Sequence, residues 1–120
     1  MGLDVDFYRV KKENVISDYY YIDIDNDDYG DNILYLRKPY KLNDWFLQLL
    51  NKRGFVIPTY CKDLLPIRVY KKDYEEFMKE LKSGNIHKEK DYIEYYLEQM
   101  ESIRKYFDDE NYAIYYVASW

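Results

Sequence analysis

From Leu3 onward apolar and polar positions alternate, with Leu3, Val5 and Phe7 on one side and Asp4, Asp6 and Tyr8 on the other. A period of two belongs to a strand with one buried face, so Leu3 to Val10 is predicted as a strand. Tyr19 to Asp25 repeats the pattern with Tyr20, Ile22 and Ile24 facing inward, and Lys12 to Asp18 is read as the hairpin connection. Asn26 to Asn32, rich in Asp with one Gly, is a loop that leads into a short strand over Ile33 to Leu36. The period then changes. Leu42, Trp45, Phe46, Leu49 and Leu50 recur at helical spacing and form one apolar stripe. Pro39 marks the approach to this helix and Gly54 is a natural stop.

Phe55-Val56-Ile57 and Ile67 to Tyr70 read as short extended segments, separated by a loop holding Pro58 and Pro66. Asp73-Tyr74-Glu75-Glu76 has capping-box spacing and is predicted to open a helix that buries Phe77, Met78 and Leu81 and ends near Gly84. A longer helix is expected from Lys88 to Phe107, with Ile93, Tyr96, Leu97, Met100, Ile103 and Phe107 on its buried face. Asp108 to Asn111 breaks it, and Tyr112 to Trp120 is a further strand. These elements predict one α+β domain over residues 1–120. Its antiparallel sheet has three or more strands, three helices pack on one face, and the last strand pairs with the first or second.

Composition changes the picture by exclusion. Cys61 is the only cysteine and His87 the only histidine, so neither a disulfide nor a clustered zinc site is expected. Cys61 lies beside Lys62 with no histidine near in sequence and is read as an inert thiol, and His87 is read as a solvated residue at a helix start. Asp23-Ile24-Asp25-Asn26-Asp27 opens like a calcium loop, but Asp28 stands where the turn needs Gly and Leu34 where a bidentate Glu is needed. No nucleophile elbow, Walker or dinucleotide motif occurs. Neither a catalytic residue nor a metal or cofactor is therefore expected. The opening residues lack a secretory pattern and no apolar run approaches a membrane span, so a cytosolic location is expected.

Charge is more informative. Asp23, Asp25, Asp27, Asp28 and Asp31 carry five negative charges, equal to the whole net charge of −5. Such a cluster can imitate phosphates and occupy a basic groove on a partner protein, so these five are the candidate partner-binding residues. Direct nucleic-acid binding is disfavoured by the acidic balance, apart from a local patch at Arg37, Lys38 and Lys41. The 17 tyrosines supply rigid rings suited to an interface.

Met1-Gly2-Leu3-Asp4, Tyr35-Leu36-Arg37-Lys38 followed by Leu42, Trp45 and Phe46, and the ending Tyr115-Tyr116-Val117-Ala118-Ser119-Trp120 form an ordered set. That set resembles small uncharacterised proteins of phages and prophages, which share these anchors from end to end. Leu36 replaces the usual Trp, and Asn43 stands where those proteins often carry His, so any role of that His is missing here. The resemblance implies a virus-derived accessory protein made in a bacterial cytoplasm and carries over no activity. Arg37 is expected to form a structural ion pair with Asp4, with a ligand role at Asp4, Arg37 and Lys38 as the alternative. The leading functional expectation is a protein-binding inhibitor of a bacterial defence system, in the manner of an anti-CRISPR, acting on a host protein through the acidic surface. The alternatives are a small enzyme or ligand-binding domain with a cleft near Arg37 and Lys38, and a structural module that assembles as a homodimer.

Overall fold

The computed structural model describes residues 3–12, 31–54, 66–108 and 110–119. Four strands are present among them: β1 (Asp4–Lys11), β2 (Asp31–Arg37), β3 (Pro66–Val69) and β4 (Tyr112–Ser119). Three helices intervene: α1 (Tyr40–Lys52), α2 (Lys71–Lys82) and α3 (Lys90–Glu101). The strands pair antiparallel in the order β2-β1-β4-β3, so the fold is the α+β sheet-and-helix architecture that the alternation and the helical stripes predict. β4 pairs with β1, as expected, and also with β3. None of the described helices is long and apolar enough to cross a membrane.

Register decides which side chains meet. Val5 lies opposite Ala118 and Phe7 opposite Tyr116, which puts them on the helix-bearing face with Ile67, Val69 and Ile114. Leu42, Phe46, Leu49 and Leu50 of α1, Phe77, Met78 and Leu81 of α2, and Tyr96 and Met100 of α3 complete this core. Phe46 lies at its centre, stacked on Tyr116 at 4.3 Å and on Phe77 at 5.1 Å between ring centroids. On the opposite face Val10, Ala113 and Tyr115 form a second buried cluster, so β4 is buried on both faces. A register shift between Phe7 and Tyr8 marks a bulge against β2.

Several boundaries differ from the sequence reading. α2 starts at Lys71 with Tyr70 as its N-cap, so Asp73 does not open the helix. Asp73 occupies the third helical position, where its carboxylate accepts from the Tyr70 N–H at 3.0 Å, which is the back-reaching half of a capping box. The long helix predicted to Phe107 ends at Glu101 and gives way to a 3-10 turn over Arg104–Tyr106. Ile103 and Phe107 are buried as predicted, now from this tighter turn. Gly54 and Gly84 follow the C-termini of α1 and α2 at φ 89° and 84°, the left-handed conformation that glycine adopts without steric cost. The strand expected over Tyr19 to Asp25, its hairpin and the extended segment at Phe55 to Ile57 lie outside the described residues.

Candidate functional site

The N-termini of two helices border one cleft. α1 begins at Tyr40 behind Pro39 and α3 at Lys90 behind Glu89, and among the described residues no side-chain cap closes either end. Leading amides of a helix have no partner within it, and the aligned peptide dipoles add fractional positive charge there. The cleft has a volume of about 380 Å³. Lys38, Lys41, Lys88 and Glu89 give it charge, and His87 with Tyr40, Tyr92 and Tyr96 gives it aromatic walls. Among the described residues none of the three lysine ammonium groups is engaged in an ion pair. The first turn of α1 holds no acidic residue, so Lys38 and Lys41 add positive charge to a terminus that favours negative.

Lys38 is held there by the backbone. Its N–H donates to the Leu3 carbonyl at 2.5 Å, and its own carbonyl accepts from the Tyr40 N–H at 3.0 Å. These two bonds fix the turn from β2 into α1 and hold Lys38 at φ 55°, a left-handed conformation rare for a side chain of this size. The residue before a proline is restricted as well. A strained non-glycine residue at a cleft rim is a feature that often accompanies function.

His87 is the largest departure from the sequence reading. It is not a solvated helix-start residue but only 9% exposed. Its ring stacks near-parallel to Tyr92 at 5.1 Å and to Tyr96 at 5.3 Å. Tyr92 and Tyr96 stand one helical turn apart on α3 and so present their rings to the same side. Among the described residues the buried Nε2 of His87 has no hydrogen-bond partner. Burial pushes the imidazole pKa below 6.5, Lys41 pushes it the same way, and Glu89 opposes them.

Folding therefore weakens proton binding at His87. Its contribution to stability is in place above the ordinary value of 6.5 and is lost as pH falls through the lowered folded value. Melting temperature is expected to drop between about pH 7.5 and about pH 5, and to drop less in His87→Phe, which keeps a stacking ring and removes the titration. Superimposable pH profiles for the two proteins would refute the burial-driven shift.

The other candidate residues fall elsewhere. Asp4 and Arg37 lie directly opposite each other on β1 and β2, but the Asp4 carboxylate accepts from the Tyr35 hydroxyl at 2.7 Å rather than pairing with Arg37. That bond raises the Tyr35 pKa, because losing the phenolic proton would set two anions side by side. Neither Asp4 nor Arg37 reaches the cleft, and Lys38 alone of that trio lines it. Asp31 opens β2 and pairs with Arg9 at 3.0 Å, with Arg9 stacked over Tyr112 at 4.6 Å. Asp23, Asp25, Asp27, Asp28 and Cys61 lie outside the described residues. Asn43 is buried and accepts from the Tyr116 hydroxyl, so this polar position on the α1 stripe anchors the helix to β4.

Tyr40, Lys88, Tyr92 and Tyr96 had no place in the sequence reading of the site. A signal was present in the lysines that bracket both helix starts, Lys38 and Lys41 around one and Lys88 ahead of the other, where anions are electrostatically favoured. Comparison with family models, curated proteins and solved structures gives no match, so the cleft is interpreted on its own chemistry.

Proposed function

We propose that this chain is a binding domain that holds an anionic group in the cleft between the N-termini of α1 and α3. One observation carries the reading: a buried histidine with an unpartnered Nε2 shares a cleft with three lysines that have no anionic partner among the described residues. In a chain of net charge −5 this is a local positive field, and a bound anion relieves the mutual repulsion of the ammonium groups. The cleft develops the ligand-binding alternative near Lys38 that the sequence raised. The acidic-surface reading takes no support from it, because the charge of the cleft is of opposite sign.

The single histidine makes the test direct, since its imidazole resonances have one assignment. Inorganic phosphate should raise the His87 pKa saturably, because an adjacent anion favours the imidazolium. Lys38→Gly should weaken phosphate binding about fivefold, the loss of one charge-assisted contact. The same substitution should stabilise the fold by about 1 kcal/mol, because glycine adopts the left-handed backbone without strain. Weaker binding together with a higher melting temperature cannot come from misfolding. A His87 pKa that does not respond to phosphate removes the reading.

A further inference from the structure

We propose that the anion is a phosphate monoester carried on a planar ring, of which a nucleoside 5′-monophosphate is the simplest example. This rests on the anion-binding reading of the cleft and adds two observations to it.

The first is charge. Three ammonium groups against the Glu89 carboxylate leave two positive charges in the cleft. A phosphate monoester carries about −1.5 to −2 at neutral pH, which matches that balance. A carboxylate would leave positive charge uncompensated, and a triphosphate would exceed it. The neutral, buried imidazole of His87 can then serve the phosphate as a hydrogen-bonding group without adding charge.

The second is aromatic surface. Tyr40 is 46% exposed and Tyr92 50% exposed, one on α1 and the other on α3. Both border the cleft, so each wall offers ring area still in contact with water beside the lysines. Tyr92 keeps this exposure despite its stack on His87, whereas Tyr96, also stacked on His87, is buried. A ring joined to the phosphate gains stacking area here that a plain sugar phosphate cannot use. At about 380 Å³ the cleft falls within the usual range for small-ligand sites.

The experiment is a calorimetric titration of the full chain with adenosine 5′-monophosphate, phenyl phosphate, ribose 5-phosphate, inorganic phosphate and adenosine. Adenosine 5′-monophosphate should bind about tenfold more tightly than ribose 5-phosphate, the gain expected of one stacked base, and adenosine alone should bind weakest. Phenyl phosphate separates two sources of the same chemistry. Parity with the nucleotide points to a phosphorylated tyrosine side chain, and weaker binding points to a nucleotide.

Tyr92→Leu and Tyr40→Leu should each lower the ratio of nucleotide affinity to ribose 5-phosphate affinity. Lys90→Gln, a charge loss outside the cleft, should change neither. If a leucine variant fails to fold, ring-current shifts of the adenine protons on the unaltered protein give the same answer. Equal affinity for ribose 5-phosphate and adenosine 5′-monophosphate overturns the ring proposal while the anion reading stands. Binding of no phosphate compound overturns both.

Discussion

Phe46→Ala is expected to destabilise the fold by about 4 kcal/mol, read as a fall in the urea midpoint with an unchanged slope. The magnitude follows from what the ring touches. Phe46 is fully buried and stacks at small interplanar angles on Tyr116 and Phe77, while Phe7 at 5.7 Å and Trp45 at 5.1 Å meet it edge-on. One side chain of α1 thus joins β1, β4 and α2. Removing it takes away the transfer free energy of the ring, leaves a cavity walled by other rings, and forfeits aromatic pairing beyond area alone. Small domains hold only about 5–15 kcal/mol in total, so the variant should unfold partly at physiological temperature. Phe46→Leu should lose roughly half as much, because it refills part of the volume. A loss below about 1 kcal/mol for the alanine variant would show that the core does not converge on this residue.

Asp73→Ala should cost about 3 kcal/mol, through a different mechanism. Asp73 is buried, and its carboxylate accepts from the Arg53 guanidinium at 2.6 Å and from the Tyr70 N–H. Arg53 caps the C-terminus of α1, so the pair joins the end of one helix to the start of another. Deleting the carboxylate strands a largely buried guanidinium and leaves a helix-start amide without its acceptor. The cost is chiefly that of the orphaned charge. Arg53→Met combined with Asp73→Leu should therefore be less destabilised than Asp73→Ala alone. Denaturant titration of the single and double variants decides the point, and a double variant worse than the single would place the stabilisation in the pair itself.

The two differ in how far the sequence announced them. Phe46 was legible, because a helical stripe needs only the spacing of Leu42, Phe46, Leu49 and Leu50. Asp73 was visible as a capping residue but was assigned the wrong position, because Tyr70 has no capping hydroxyl on a short side chain to mark the true start. β1 was legible from its alternation. β4 was legible as a strand but not as a doubly buried one, since Ala113, Tyr115 and Val117 are all apolar enough for either face.

The candidate site was legible only in fragments. Lys38 was picked out for the wrong companions, Asp4 and Arg37, because local sequence shows a neighbour on the strand and not the turn that swings Lys38 away from it. His87 was misread because Lys88 and Glu89, which follow it at the start of a helix, suggest solvent. Its burial is tertiary, set by two rings of α3 that stack against it, and no local pattern records that contact. Asn43 entered the sequence reading only as a residue standing in place of a His, and its buried amide oxygen accepts from Tyr116, a residue 73 positions further along the chain.

The strand order has a consequence for how the chain acquires its shape during synthesis. β1 and β4 are neighbours in the interior of the sheet, although β4 is made about a hundred residues after β1. Until residue 119 has left the ribosomal tunnel, β1 can pair with β2 but has no partner on its other side, and Phe7 and Phe46 wait for Tyr116. Folding of the core is thus deferred until β4 has emerged and closes its longest loop in its central pairing, the kind of non-local step that slows folding. The nascent chain meanwhile exposes the unpaired edge of β1, where chaperones and other nascent chains can reach it.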